Sequence, residues 1–235
     1  IIPREEPLIK LHTMAIRYYR GLAWSHIALA TLLSAQRNGR IIDKIMDIII
    51  NNTGQKFIGV ETGIETGSPR LASKIMPAKA APFKVDIWPD LVVEAFSIMH
   101  EHNILPAATL ILGLPGETPD DVIKTAELIE RLKPYQSLIV PMFFVPMGIL
   151  KDKDWFRKVH LSTEHIEVLK LTLKHSLYWS QKIMNKYLDK PHELPLRLAL
   201  NSFMKYVEWK TKKFINTIEE KPTTTITPAI QTIQQ

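Results

Sequence analysis

Residues 105–121, LPAATLILGLPGETPDD, combine a buried strand, a glycine-containing turn and the start of a capped helix in one continuous run. Residues 105–113 are nearly all apolar, which is typical of a parallel strand that is covered on both faces. Residues 118–121 then supply a threonine cap, a proline at the first helical position and an acid three residues after the cap. The run therefore predicts a βα unit.

The same alternation of apolar strands and capped helices extends over residues 23–145. Alternation of this kind predicts an α/β fold, here an open parallel sheet of about four strands with helical crossovers. The predicted strands are residues 23–33, 55–63, 105–113 and 137–145, and the predicted helices begin at Asn38, Ser68, Asp86 and Thr118.

Composition divides the rest of the chain. Residues 1–22 are expected to be a connection from a missing N-terminal part, and residues 23–150 to be the sheet domain. Residues 151–218 are predicted to form a helical C-terminal extension, with helices over 162–188 and 195–216. Residues 219–235 are rich in Pro, Thr and Gln and predict a disordered tail.

Cysteine is absent from the chain. Disulfides, thiolate zinc sites and thiolate-bound iron clusters are therefore excluded within these residues. No run of eighteen apolar residues occurs, and no export signal is recognised, so we expect a cytoplasmic protein.

The positive charge is concentrated in the last third of the chain. Residues 151–235 contain 15 Lys+Arg and 9 Asp+Glu, whereas residues 1–150 contain 15 of each. Aromatic residues lie among these lysines, around positions 178–186 and 205–213. Basic helices with aromatic side chains can lie on a membrane surface, which would make the protein membrane-peripheral. The alternatives are that the lysines form a solvated helical face and that the aromatic residues pack against the barrel or against a missing domain.

Two carboxylates mark the end of the strand at 55–63. In the run VETGIETGS (60–68), Glu61, Gly63 and Glu65 are expected to share one face because strand side chains alternate. They lie at the carboxyl end of a parallel strand, where α/β folds place their active sites. The alternative is that one or both carboxylates are exposed and pair with Lys or Arg.

The runs GIETGSPRL and LILGLPGETPDDVIKTAELIERL are similar to the second half of the radical S-adenosylmethionine (radical SAM) superfamily. The run VPMFFVPMGIL resembles the sixth strand of that fold, although Met147-Gly148-Ile149 departs from the usual Pro-Gly-Thr ending. More narrowly, the chain looks like archaeal members that carry an N-terminal cobalamin-binding domain. The resemblance covers roughly residues 20–190.

The resemblance implies a partial TIM-like (β/α) radical SAM barrel and a set of cofactor contacts, whereas catalytic residues and metal ligands remain unassigned. It places Gly63, Glu65, Thr66 and Ser68 against the ribose and methionine of S-adenosylmethionine, and Gly113, Pro115 and Gly116 against the adenine. Glu117 would fix the second loop, although helix capping alone would also explain this residue.

The implied activity is reductive cleavage of S-adenosylmethionine to a 5′-deoxyadenosyl radical for C–H activation, with an archaeal lipid as one candidate substrate. The [4Fe–4S] cluster, and cobalamin if it is used, would be held by the missing N-terminal half of the barrel, the expected partner. One alternative is a non-catalytic remnant that binds a nucleoside ligand or a partner. Another is an RNA-modifying enzyme, but only helices follow the predicted core, so we expect no nucleic-acid partner.

Overall fold

Three of the predicted apolar runs form strands in a computed structural model, which describes residues 3–148, 151, 161–188 and 190–219. The strands are β1 (Ile58–Glu65), β2 (Ile104–Leu112) and β3 (Leu138–Phe143). They form an open parallel sheet in the order β1-β2-β3. In the register of this sheet, Ala107 lies opposite both Glu61 and Leu138. The described part of the chain is thus an α/β fold.

Eight α-helices surround or extend this sheet within the described residues. They are α1 (Glu5–Tyr18), α2 (Leu29–Arg37), α3 (Ile41–Thr53), α4 (Pro69–Ile75), α5 (Trp88–Glu101), α6 (Pro119–Leu132), α7 (Thr163–Tyr187) and α8 (Leu194–Glu219). Short 3₁₀ turns occupy Pro77–Ala80, Val85–Ile87 and Pro191–Glu193. None of the described helices is both long enough and apolar enough to cross a membrane.

The two faces of the sheet differ in burial. Alternate residues such as Ile58, Ile64 and Leu110 are fully buried and pack with Trp88 and Phe96 in the main core. The intervening residues are less buried, and we call the surface that they form the open face. It is formed by Gly59, Glu61, Gly63 and Glu65 of β1, Leu105, Ala107, Thr109 and Ile111 of β2, and Leu138, Val140 and Met142 of β3.

The predicted strand over residues 23–33 is wrong for its second half, which is helical from Leu29 onward. Leu29, Leu32 and Leu33 have helical spacing and lie in α2, fully buried on one side of that helix. A short apolar run cannot be assigned to strand or helix by periodicity alone. The first part of the predicted run does follow β1, because the N–H groups of Trp24 and Ile27 donate to the carbonyls of Gly59 and Glu61 at 3.2 and 3.0 Å, and His26 forms a parallel bridge with Glu61.

Two of the four predicted helix starts are also wrong. Asn38 ends α2 instead of beginning α3, because its side-chain amide donates to the carbonyl of Ser34 at 2.8 Å. The helix predicted from Asp86 begins at Trp88, and Asp86 lies in the preceding 3₁₀ turn. The caps at Ser68 and Thr118 are confirmed, the latter with a complete capping box.

The free edge of β3 is protected by helix α7. The Ser176 hydroxyl accepts a hydrogen bond from the Ile139 N–H at 2.9 Å and donates one to its carbonyl at 3.0 Å. Pro141 lies in the same strand and has no N–H to offer a further strand. Unpaired strand edges promote association, so this helix limits pairing at β3.

The helices predicted over 162–188 and 195–216 are confirmed as α7 and α8. The segment predicted as a connection contains α1, whose Glu5 accepts a hydrogen bond from Lys44 of α3 at 2.6 Å. The tail predicted as disordered lies outside the described residues, apart from Glu219 at the end of α8. The division of the chain near residues 22, 150 and 218 stays a prediction.

Candidate functional site

The loops that follow β1 and β2 meet at the carboxyl edge of the sheet. Arg70, at the start of α4, donates to the carbonyl of Gly116 in the second loop at 2.9 Å. The N–H of Gly67 donates to the hydroxyl of Thr125 in α6 at 2.9 Å. A Cβ on Gly67 would lie 2.6 Å from the Thr125 Cα, so only glycine permits this approach. The two sequence motifs therefore form one structural unit.

Asp121 is the centre of this unit. Its carboxylate is fully buried and accepts hydrogen bonds from the Ser68 hydroxyl at 2.5 Å and the Thr118 N–H at 2.8 Å. The Arg70 guanidinium also pairs with it. Burial alone would raise the pKa of Asp121, but the hydrogen bonds from Arg70, Ser68 and Thr118 outweigh it and hold the pKa well below its usual range. The carboxylate is therefore ionised, and it joins both loops.

Glu65 lies at an irregularity at the end of β1. The β1–β2 register shifts between Gly63 and Glu65, and Glu65 has a left-handed backbone with φ of 61°. Its carboxylate pairs with Lys79 and accepts from the Thr109 hydroxyl at 3.4 Å. Non-glycine residues with positive φ are uncommon and are concentrated at functional sites.

The predicted common face of Glu61, Gly63 and Glu65 is confirmed. All three are less buried than their neighbours Thr62 and Ile64. The Glu65 carboxylate lies over Gly63, since a Cβ at that glycine would be 2.0 Å from Glu65 Oε1. The contacts between Glu65 and its neighbours on β1 and β2 place its carboxylate on the open face, away from the helical layer.

Thr66 and Ser68 occupy a different environment. Both side chains are buried, and the Thr66 hydroxyl contacts that of Thr125 at 3.3 Å. Ser68 caps α4 through the Leu71 N–H and donates to Asp121. These hydroxyls face α6 and are already used within the protein. Their predicted contact with a ligand remains a prediction, and it would require these hydrogen bonds to change.

The second loop presents backbone to the surface. Gly113 and Gly116 have positive φ of 76° and 77°, which favours glycine, and Pro115 is exposed between them. The Lys74 ammonium lies over Gly116, because a Cβ there would be 2.3 Å from Nζ. An exposed backbone with an adjacent cation can receive a flat or anionic group.

Glu117 holds the backbone of this loop in place. Its carboxylate accepts the Gly113 N–H at 2.7 Å and contacts His165 Nε2 at 2.9 Å. Because His165 Nδ1 accepts the Ser162 N–H at 3.2 Å, the Nε2 atom carries the proton and donates to Glu117. Glu117 is therefore a loop-positioning residue. His165 was missed by the sequence reasoning, since it lies 48 positions away with no motif around it.

A second polar group lies further down the open face. The Ser25 hydroxyl and His26 Nδ1 are 2.8 Å apart, and His26 Nε2 lies 3.1 Å from Glu61 Oε2. The His26 and Glu61 side chains are 73% and 67% exposed, so this relay is open to water. It borders a cavity of about 380 Å³ that is also lined by Trp24, Leu105 and Ile183.

Among the described residues, no cluster of three or more His, Asp or Glu side chains could hold a metal ion. With no cysteine anywhere in the sequence, the chain does not offer thiolate ligands for an iron–sulfur cluster. The sequence matches no protein-family model. A comparison with curated proteins finds no relative.

Proposed function

We propose that this chain is the C-terminal portion of a radical SAM enzyme and that it supplies one side of the S-adenosylmethionine site. One observation carries the proposal: the loops that follow β1 and β2 meet at the carboxyl edge of a parallel sheet and are joined through Asp121. Ligands of α/β proteins bind at this edge. Glu65 is the carboxylate that the open face presents there.

The contacts of Glu65 suggest what it would bind. The carboxylate already pairs with an ammonium group, that of Lys79, and with the hydroxyl of Thr109. S-adenosylmethionine offers both kinds of donor, an amino group and ribose hydroxyls. Glu65 would accept hydrogen bonds from them, and Gly63 lacks the Cβ that would collide with the Glu65 carboxylate in this position. The exposed backbone at Gly113–Gly116 would receive the adenine.

The cluster does not fit this chain, which has no cysteine. In the proposal the [4Fe–4S] cluster, and cobalamin if it is used, belong to polypeptide outside these residues, namely the N-terminal half of the barrel. The cluster would supply the electron that cleaves S-adenosylmethionine to the 5′-deoxyadenosyl radical. The residues described here would bind and orient the nucleoside only.

The open face supports a missing barrel half as the partner. Val140 and Met142 are 44% and 42% exposed, although they lie in the centre of a strand. In a closed barrel these side chains would point into a packed interior. The same face holds the His26–Glu61 pair, which would then border the reaction chamber.

Photoaffinity labelling tests the proposal on the chain as it stands. An azido-adenine analogue of S-adenosylmethionine should label the peptide that contains residues 113–118, and excess unmodified S-adenosylmethionine should suppress the labelling. Loss of one hydrogen bond to a charged group costs about 1.5–3 kcal/mol. The concentration of S-adenosylmethionine that halves labelling should therefore rise roughly ten- to hundredfold in Glu65→Ala.

The control is Glu127→Ala, which changes one carboxylate on α6, away from the open face. This variant should be labelled to the same extent as the parent chain, and the same concentration of S-adenosylmethionine should halve its labelling. Labelling that S-adenosylmethionine does not suppress, or that maps only to α7 and α8, would contradict the proposed site.

A non-catalytic nucleoside-binding remnant remains the second candidate, favoured by the absence of cysteine. It predicts the same labelling but no cluster ligands upstream. An in-frame C-x3-C-x2-C sequence preceding residue 1 would favour the enzyme.

A further inference from the structure

Helix α8 has two different faces. One face borders a groove of about 510 Å³ between α8 and α7 and includes the half-buried Asn201, Met204 and Ile215. The other face points away from this groove, and we call its exposed residues the outer stripe. The outer stripe consists of Leu196, Phe203, Tyr206, Trp209, Lys210, Lys213 and Phe214.

The apolar members of the outer stripe are highly exposed. Phe203, Tyr206 and Trp209 are 59%, 54% and 55% exposed, and Leu196 is 53% exposed. Their spacing of three and seven residues keeps them on adjoining parts of one helical surface. Single exposed apolar residues are ordinary, but a contiguous apolar stripe of this kind marks a surface that contacts another phase or molecule.

Lysines are interleaved with these aromatic rings. Lys210 Nζ lies 5.3 Å from the Trp209 ring centre and 5.7 Å from that of Tyr206. Lys213 Nζ lies 6.0 Å from the Trp209 ring. Two of the charged residues of the helix, Lys210 and Lys213, lie in the outer stripe, whereas Lys205, Glu208 and Lys212 line the groove on the other side. The stripe is thus apolar and cationic at the same place.

From this combination we propose that α8 binds flat against an anionic lipid bilayer through its outer stripe. Aromatic rings prefer the boundary between headgroups and acyl chains, and lysines reach from that depth to phosphate groups. A protein partner would bury apolar residues in a core depleted of lysine, whereas here the lysines contact the rings themselves. The inference does not depend on the proposed activity of the sheet domain.

Helix length and context agree with an in-plane orientation. Helix α8 is 26 residues long, and it does not qualify as a membrane span. Its inner side packs on α7, so the chain presents only one side of the helix to a surface. A shallow insertion therefore leaves the packing between α7 and α8 intact.

Vesicle sedimentation with the 235-residue chain tests this proposal. The chain should bind vesicles of phosphatidylcholine and phosphatidylglycerol in equal parts, and it should bind pure phosphatidylcholine far more weakly. Each lysine near an anionic surface is worth about fivefold in affinity. Lys210→Gln/Lys213→Gln should therefore bind roughly 25-fold more weakly, and Phe203→Ser/Trp209→Ser at least about tenfold more weakly.

Matched controls change the same chemistry elsewhere. Lys124→Gln/Lys133→Gln removes one charge from α6 and one from the residue that follows it. Tyr18→Ser/Tyr19→Ser removes two aromatic rings that are 79% and 64% exposed. Both should bind vesicles like the parent chain. Circular dichroism of each variant should retain the parental helix content, which separates lost binding from lost folding.

Three results would overturn the proposal. The first is equal binding of the parent chain to anionic and neutral vesicles. The second is a loss of vesicle affinity in the control variants that is as large as the loss in the outer-stripe variants. The third is an absence of vesicle binding together with self-association that Phe203→Ser/Trp209→Ser abolishes, because the stripe would then be an interface between copies of the chain.

Discussion

Replacing Asp121 by alanine should destabilise the protein by about 3 kcal/mol. The carboxylate accepts from the fully buried Ser68 hydroxyl and from the backbone N–H and hydroxyl of Thr118. A buried donor that loses its acceptor costs about 1–3 kcal/mol, and loss of an acid from the first turn of a helix costs about 0.3–1 kcal/mol. The Arg70 guanidinium is half-exposed and regains water, so its loss adds nothing to this figure.

Urea denaturation followed by tryptophan fluorescence measures this loss. Trp88 is a suitable reporter because its buried indole N–H donates to the carbonyls of Ile64 and Thr66, next to the Asp121 network. The Asp121→Asn side chain keeps the shape of the aspartate and one of its two acceptor oxygens. The free energy of unfolding of this variant should therefore lie between that of the parent and that of Asp121→Ala.

Asp120→Asn is the matched control. This carboxylate is one residue away, 66% exposed, and pairs with Lys124 at 2.6 Å. It should leave the urea midpoint unchanged. If Asp121→Ala were as stable as Asp120→Asn, the argument that Asp121 holds the two loops together would be refuted.

The Asp121 contribution also has a defined pH range. The folded pKa lies below the unfolded value of about 3.9, so the carboxylate stabilises the protein fully above that pH. The stabilisation is lost as the pH falls below about 4. Asp121→Asn should show a smaller loss of stability than the parent over the same range.

Three other predictions test separate features. His175 is buried, and desolvation lowers its pKa to about 4. The free energy of unfolding should therefore fall by up to about 3 kcal/mol from pH 6.5 to pH 4. Denaturation of His175→Gln over the same pH range should show a smaller fall in that free energy. Glu65→Gly should be about 1 kcal/mol more stable than Glu65→Ala in urea melts, because only glycine adopts the positive φ without strain; equal stabilities would contradict strain at this position. Ser176→Ala should lose about 1–2 kcal/mol and should associate more than the parent by light scattering, because Ile139 at the edge of β3 loses both hydrogen bonds; unchanged light scattering together with unchanged stability would refute edge protection.

Local chemistry sufficed for the parts of the fold that short segments control. The runs that form β2 and β3 are almost entirely apolar, and β1 alternates buried residues with the less buried Gly59, Glu61, Gly63 and Glu65. Ser68-Pro69 and Thr118-Pro119 begin helices as predicted, because a cap and a proline at the first helical position act on adjacent backbone groups. The alternation in β1 likewise placed Glu61, Gly63 and Glu65 on one face.

Only the tertiary structure decided the roles that depend on distant partners. Leu29–Arg37 is apolar enough for a strand, but packing of its three buried leucines makes it a helix. The sequence itself predicts Ser68 as a cap and the resemblance implies a ligand contact, but only the structure shows that its hydroxyl donates to Asp121, 53 positions away. Glu117 is fixed by His165 of α7, which no motif connects with it. Sequence determines which groups a strand presents at its end, whereas long-range packing determines which of those groups are already occupied and which stay free for chemistry.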